Sequence, residues 1–184
     1  DLDSFDPDVV GATSVTMNFL SAAEIIREAK RHKPSVLTLM GGPHVSYDIE
    51  GTLRRFPEVD VVVFGEGEET LMEFLPRIGE PEVWPKIRGI AFRRGNGIVK
   101  TPVRPLIEDL DLLPLPARHL LPLSRYLALG FPAGIITSRG CPNRCIFCLG
   151  RRMVGARVRP RSPARVVDEI ETLLDYGFTR INIT

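Results

Sequence analysis

Three cysteines fall within eight residues, Cys141-Pro-Asn-Arg-Cys145-Ile-Phe-Cys148, and the 184-residue sequence has no others. The spacing C-x3-C-x2-C lets one loop bring three thiolates to one metal centre, and thiolates bind zinc or iron–sulfur clusters. A structural zinc wants four protein ligands. The only histidines, His32, His44 and His119, are all distant in sequence. A cubane cluster held by three thiolates keeps one iron open for a substrate or cofactor. Ligand count therefore favours a reactive iron–sulfur cluster, with a zinc site and unligated cysteines as the alternatives. Three is too few, and odd, for a disulfide framework, which points to reduced, metal-type chemistry in a cytoplasmic setting.

Two glycine-rich turns are the next candidates, Gly41-Gly42-Pro43-His44 and Gly65-Glu66-Gly67-Glu68, each placed where an apolar run ends. Glycine permits close backbone approach and positive φ, and open parallel sheets bind ligands at the carboxyl ends of their strands. A strand-to-helix turn needs glycine anyway, so each alone is weak. Neither is a Walker loop or a GxGxxG fingerprint, so simple nucleoside triphosphate or NAD binding is not supported. Arg151, Arg152, Arg157, Arg159, Arg161 and Arg165 follow the cysteines. They could meet a carboxylate, a phosphorylated substrate or RNA, or form a solvated or domain-bridging surface. Interleaved aromatics are absent, so a stacking platform for single strands is not supported and nucleic acid is not an expected partner.

The elements that must position these residues alternate. Residues 8–13, 35–40 and 60–64 read as buried strands, separated by a helix opening at Ser21 with Glu24 as its capping box and a weaker helix over about 47–56. The first helix has an apolar stripe of Leu20, Ala23, Ile26 and Ala29, and a third helix runs through Leu71, Met72 and Leu75. Such alternation implies a parallel sheet wrapped by helices, roughly half of a doubly wound domain. Residues 90–93 and 98–101 flank Gly95-Asn96-Gly97, a hairpin signal. Residues 102–132 are rich in Leu and Pro, which disfavours a long helix and predicts an ordered, packed linker. Residues 133–138 form a strand leading into the cysteines. Ser162 caps and Pro163 opens a helix with an inner face of Val166, Val167, Ile170, Leu173 and Leu174, ended by Gly177, before a strand over 179–184. Strand, loop, helix, strand is one βαβ unit.

Taken together, the motifs resemble a known family. SRGCPNRCIFC is similar to the signature of the radical S-adenosylmethionine (SAM) superfamily, with the aromatic Phe147 just before the last cysteine; this resemblance covers about residues 131–184. It implies that Cys141, Cys145 and Cys148 ligate a [4Fe–4S] cluster, that SAM chelates the open iron, and that Phe147 borders its adenine. It further implies reductive cleavage of SAM to a 5′-deoxyadenosyl radical, fed by a reductase or flavodoxin-type electron donor. DVVGATSVT, LMGGPH and DVVVFGEGE, in that order over about residues 5–78, resemble the cobalamin-binding domain found ahead of many such barrels. There, Ser14, Thr16, Gly41, Gly42, Gly65, Glu66 and Gly67 would line the pocket for the cofactor's nucleotide tail. The DxHxxG motif of many cobalamin proteins is absent. His44 is read as a polar turn residue at the cofactor rim and not as the cobalt ligand, and Glu68 and Glu69 as the acidic start of a helix.

The fold class so implied is α/β: the C-terminal part of a Rossmann-like doubly wound cobalamin-binding domain (1–80), a hairpin and Pro/Leu-rich linker (81–130), and the start of a radical SAM (β/α) partial TIM barrel (131–184). The function implied is a cobalamin-dependent radical SAM enzyme, methylating, cyclising or rearranging an unactivated carbon of a small-molecule or lipid-like substrate. An RNA methylthiotransferase-like cousin would carry cysteines in its N-terminal domain, and none precedes Cys141; a non-catalytic metal-binding module is the alternative from another class. Composition agrees with a folded domain: 43% hydrophobic and 26% charged residues exclude disorder, and no apolar run approaches the roughly 20 residues of a membrane span. Residues 1–80 carry 15 acidic and 7 basic side chains, residues 81–184 carry 8 and 17, a polarity expected of two domains with different partners. With Asp1 in place of Met, the expectation is a piece of a longer chain, inactive by itself.

Overall fold

The computed structural model describes residues 2–184, and the chain divides into two compact units, Asp1–Leu106 and Ile107–Thr184. The first unit begins with a short helix, α1 (Leu2–Phe5), and the strand β1 (Val9–Thr13). A 3-10 turn over Thr16–Asn18 leads into α2 (Phe19–His32), followed by β2 (Leu37–Gly41), α3 (Pro43–Tyr47), α4 (Ile49–Arg55), β3 (Val61–Val63) and α5 (Glu68–Phe74). The hairpin β4 (Ile90–Arg94) and β5 (Gly97–Lys100) completes a sheet of order β1-β2-β3-β4-β5. The first two pairings are parallel and the last two antiparallel.

The central strands β2, β3 and β4 are largely buried on both faces, which is why they read as mostly apolar runs, whereas β1, expected as a buried strand, is an edge strand of partly covered and exposed residues. Met40, Val62 and Ala91 face one side with Phe19, Ala22 and Ile26 of α2, Val45 of α3 and Leu53 of α4. Leu39, Val61, Val63, Ile90 and Phe92 face the other, with Phe74 of α5 and Ile87. Thr38, fully buried between these positions, is tied down by Asp60, whose Oδ2 accepts from the Thr38 amide at 2.9 Å and also pairs with Lys30 at 2.7 Å.

Several expectations need correction. The helix expected to open at Ser21 starts at Phe19; Asn18 precedes it, and its Oδ1 accepts the Val15 amide at 2.9 Å. Leu20, assigned to the buried stripe, is 73% exposed, whereas Ala23, Ile26 and Ala29 are buried as expected, and Phe19 and Ala22 complete the face that packs on the sheet. The weak helix over 47–56 is two helices, broken at Asp48. Met72 faces outward. The hairpin, expected in a segment between domains, instead adds β4 and β5 to the first sheet, with Val61 opposite Phe92. The basic hairpin thus belongs to the acidic half, and the charge polarity shrinks to 16 acidic against 13 basic in the first unit and 7 against 11 in the second.

In the second unit the Leu/Pro-rich stretch forms two 3-10 turns and the short helix α6 (Leu123–Ala128). Then come β6 (Ala133–Ile135), β7 (Ser138–Arg139), α7 (Gly150–Val154), β8 (Arg159–Pro160), α8 (Pro163–Asp175) and β9 (Ile181–Ile183). The strand expected over 133–138 is interrupted at Ile136 and Thr137, so that β6 pairs with β9 and β7 with β8. The β6–α8–β9 path is a βαβ unit, with Ala133 opposite Ile181 in parallel register. Ser162 caps α8, its hydroxyl accepting from the Arg165 amide at 3.3 Å. On α8, Val167 and Leu174, placed by sequence on the inner face, are about half exposed; Leu173 is buried among Ala133, Ile135 and Phe178.

The 3-10 turn at Leu110–Leu112 is fastened to the start of α8 through Asp111, whose carboxylate accepts the Ser162 amide at 3.0 and 3.2 Å. Hydrogen bonds from Ser162, side chain first and then backbone, hold the Asp111 carboxyl below the usual carboxylate range, and the charges of Arg165 and Arg161 add to this. A lowered folded-state value contributes stability above the unfolded value, and the contribution is lost as pH falls through the folded one. Asp111→Asn is therefore expected to flatten the acid limb of the stability curve below about pH 4. Denaturant titrations of both proteins across that range check this; parallel curves would contradict it.

Candidate functional site

The three parallel strands of the first unit end side by side, and both glycine turns leave from there. A cavity of about 460 Å³ opens at these ends, lined by Thr13 of β1, Gly41 at the end of β2 and Gly42 after it, Gly65 and Gly67 after β3, and Leu71 of α5. The two turns are glycine-rich for different reasons. Gly42 has φ +94°, and a Cβ there would stand 2.6 Å from Thr13 Oγ1 and 2.7 Å from the Ser14 carbonyl oxygen, so the chain itself demands glycine. Gly65 has φ +80° with nothing within 4 Å of its would-be Cβ, so its turn borders open space. Glu66 is half-buried, and Glu68 opens α5 as expected and also lines the cavity.

Ser14 and Thr16 follow β1. The Ser14 amide donates to the Gly41 carbonyl at 3.0 Å, and the Ser14 carbonyl accepts from the His44 amide at 3.1 Å, so the end of β1 and the Gly41-Gly42 turn are stitched together. Ser14 is 2% exposed, yet its hydroxyl has no hydrogen-bond partner among the described residues. Thr16 Oγ1 lies 3.1 Å from His44 Nδ1. The structure thus gathers Ser14, Thr16, Gly41 and Gly42 around one turn, with Gly65, Glu66 and Gly67 on the neighbouring strand end.

The cysteine loop is an excursion closed at its base. β7 and β8 pair with Arg139 opposite Arg159, and the Cys141 amide donates to the Gly155 carbonyl at 3.0 Å. Gly140, with φ +113°, lies so close to the backbone of Arg157 that a Cβ would fall 2.0 Å from its carbonyl oxygen. Cys141 is half-buried, Cys145 and Cys148 are exposed, and all three are free thiols. Phe147 is 88% exposed. Among the described residues no three His, Cys, Asp or Glu side chains stand together as a metal-ligand set, so the loop does not draw the three thiols to one point.

Much of the arginine cluster turns inward within the second unit. Arg159 is 3% exposed and donates to the carbonyls of Ile107 and Val154. Arg165 donates to the Leu113 carbonyl at 3.1 Å, and Arg157 pairs with Glu108. Arg161 binds Glu169 at 2.5 Å, and the other Glu169 oxygen accepts from Arg118 at 2.6 Å. Glu169 is 2% exposed and was missed by sequence reasoning, although it lies in the helical phase of Val166, Ile170 and Leu173. The same two guanidiniums donate to the carbonyls of Gly134 (2.5 Å) and Ile136 (3.0 Å), at and just after β6.

Comparison with known proteins adds to this geometry. The family model of the B12 binding domain matches residues 1–75. An uncharacterized methyltransferase of Pyrococcus horikoshii is 38% identical over 96% of this chain and 39% of its own length. The anaerobic magnesium-protoporphyrin IX monomethyl ester cyclase of Rubrivivax gelatinosus is 32% identical over 94% of this chain and 32% of its own. The chain thus spans less than two-fifths of either relative. The cobalamin-dependent SAM radical enzyme OxsB, solved with aqua-cobalamin and SAM, superposes with a TM-score of 0.85 over 100% of this chain and 26% of its own, at 23% identity, a likeness of fold. Among the described residues no helix is long and apolar enough to cross a membrane. The α/β unit with its mixed five-stranded sheet is the B12-binding, Rossmann-like fold, and the chain is a B12-binding-domain protein related to the cobalamin-dependent radical SAM methyltransferases and cyclases.

Proposed function

We propose that the whole protein is a cobalamin-dependent radical SAM enzyme that methylates, or cyclises or rearranges, an unactivated carbon of a small-molecule or lipid-like substrate. The observation that carries this reading is the pairing, in one chain, of a cavity at parallel strand ends lined by Gly41, Gly42, Gly65 and Gly67 with a three-thiol loop at Cys141, Cys145 and Cys148.

The cavity suits a corrinoid's nucleotide tail. Its volume of about 460 Å³ lies within the roughly 300–1,000 Å³ of small-molecule sites. The open space at Gly65 admits a ring beside bare backbone, and the orphaned Ser14 hydroxyl awaits a polar group. In this reading Ser14, Thr16, Gly41, Gly42, Gly65, Glu66 and Gly67 hold the tail.

The donor set of the loop suits a [4Fe–4S] cluster in kind: three reduced thiols, two of them exposed, and no fourth ligand nearby in sequence. Cys141, Cys145 and Cys148 would hold it, and Phe147 would lie against SAM. When bound, cluster and SAM supply radical chemistry, with electrons from a reductase or flavodoxin-type donor, and cobalamin carries the methyl group. The chain's own part is positional. The β7–β8 ladder and the Cys141–Gly155 hydrogen bond fix the base of the loop, while the stitched β1 end and Gly41-Gly42 turn fix the tail site. The residues 131–184 would then begin a (β/α) barrel of which β6, α8 and β9 are the first βαβ unit.

Anaerobic reconstitution of the full-length protein with iron and sulfide, followed by addition of hydroxocobalamin, tests this. The expected result is one cluster and one corrinoid per chain. One zinc per chain with no iron or sulfide, and no corrinoid retained, would favour a non-catalytic metal-binding module instead.

A further inference from the structure

The second unit has a cavity of its own, of about 160 Å³, which the proposed chemistry does not use. Leu113, Pro114 and Pro116 wall it on the side of the Leu/Pro-rich stretch, and Gly134 and Ile136 on the side of β6. Arg118, Arg161 and Glu169 also line it, so a covered ion triad borders a space with apolar walls.

The triad is not neutral. Two guanidiniums meet one carboxylate, which leaves one positive charge. The three side chains are 15%, 12% and 3% exposed, so solvent and salt screen that charge poorly. Asp111, the other carboxylate that acts on Arg161, does not line the cavity; it accepts the Ser162 amide and couples more strongly to Arg165. Arg118 makes two hydrogen bonds and Arg161 three among the described residues, fewer than the five N–H groups that each guanidinium carries. The remaining charged group of the lining, Arg139 of β7, is a guanidinium as well.

Gly134 supplies the room. It is an exposed residue in the middle of β6, its φ is not positive, and a Cβ on it would meet nothing within 4 Å. The backbone therefore has no need of glycine here, neither for a turn nor to avoid a clash. A bare position inside a strand weakens it, and such positions mark places where a ligand approaches closely. A triad that only fastened the Leu/Pro-rich stretch to α8 would explain its ion pairs, but not the empty space beside Gly134.

We propose that this cavity binds a carboxylate carried on a short aliphatic stem. The carboxylate offsets the excess charge of Arg118, Glu169 and Arg161 and accepts from their unused N–H groups, while the stem lies between the two prolines and Gly134. At about 30 Å³ per water the space holds roughly five waters, which is room for a carboxylate and two or three carbons. Arg139 lies two residues ahead of Cys141, so a molecule held here is anchored at the root of the cysteine loop. The assignment stands independently of the corrinoid and cluster readings.

Saturation-transfer NMR titrations of the full-length protein with butyrate, 1-butanol and n-butylamine test it. Butyrate should bind about tenfold more tightly than 1-butanol, the scale of one charge-assisted hydrogen bond, and n-butylamine more weakly than either. Gly134→Leu fills the space without touching a charge; it should keep the parent's melting curve and weaken butyrate at least about tenfold, and Gly134→Ala should weaken it less. Octanoate binding that Gly134→Leu also weakens identifies the acid as the end of a longer chain, and exclusion of octanoate identifies a free short acid. Equal affinities for butyrate and 1-butanol in the parent would overturn the proposal, and this comparison needs no variant. Butyrate binding unchanged in both Gly134 variants would put the acid elsewhere and overturn it too, as would no butyrate binding up to about 50 mM.

Discussion

Cys145→Ala in the full-length protein is expected to abolish the cluster and, with it, cleavage of SAM. Cys145 is exposed and its thiol belongs to none of the hydrophobic cores, so alanine removes a thiol and little else. The one backbone bond at this point, from the Cys148 amide to the Cys145 carbonyl at 3.3 Å, survives the change. The base of the loop also survives, because it is closed by the β7–β8 ladder, the Cys141–Gly155 bond and the close approach of Gly140 to Arg157. With two thiolates left, the cluster loses a primary ligand. Outer-shell losses at metal sites already cost about 10- to 100-fold, so cleavage should fall at least to about one-hundredth. Iron and sulfide per chain, 5′-deoxyadenosine yield under reducing conditions, and a melting curve matching the parent are the measurements. Near-parental cleavage by a variant with the parent's melting curve would end the assignment of these cysteines to a cluster.

What could be read from residue order was what depends on local period and punctuation. The strands at 35–40 and 60–64 are largely buried on both faces and so show as apolar runs, and the turns after them are fixed by glycines that the backbone needs; the run at 8–13, expected as a buried strand, is an edge strand and only partly covered. The Ser162-Pro163 opening of α8 was legible for the same reason: the cap is a contact between neighbours three residues apart. What failed depended on partners far along the chain. Leu20 fits a helical stripe, but the helix begins at Phe19, and its buried face is chosen by Met40, Val62 and Phe64. The hairpin is a hairpin wherever it docks, and only its pairing with β3 gives it to the first sheet.

The site divides along the same line. Ser14, Thr16, Gly41 and Gly42 lie 25 or more residues apart in two groups, yet they converge because β1 and β2 are adjacent and parallel, which the alternation of strands and helices already implied. The cysteine spacing was plain, whereas the conformation of the loop was not: nothing in C-x3-C-x2-C says whether the thiols turn toward one point before a metal draws them in. The environment of His44 was equally hidden, since Phe19 and Thr16 are close to it only after the helix and the turn have packed.

Glu169→Gln is the substitution expected to cost the most stability. Its carboxylate is 2% exposed and sits between two guanidiniums that are themselves mostly covered, with side chains 15% (Arg118) and 12% (Arg161) exposed. Gln has nearly the same shape, so no cavity forms; what disappears is the one negative charge between two buried positive ones. Breaking such a buried network by removing one partner costs about 3–5 kcal/mol, much of it the uncompensated charge left behind. The loss reaches further than the triad. Arg118 comes from the Leu/Pro-rich stretch and Arg161 from the end of β8, and through Gly134 and Ile136 both cover carbonyls along the edge of β6 away from β9. An exposed strand edge invites pairing with another chain. Glu169→Gln should therefore unfold the second unit at lower denaturant and also raise the tendency to associate, while Glu171→Gln, on the same helix, should do neither. Denaturant titration and light scattering of the full-length variants read both effects. A Glu169→Gln protein within about 1 kcal/mol of the parent would show that the two guanidiniums are held by their carbonyl partners alone, and that the carboxylate is a bystander.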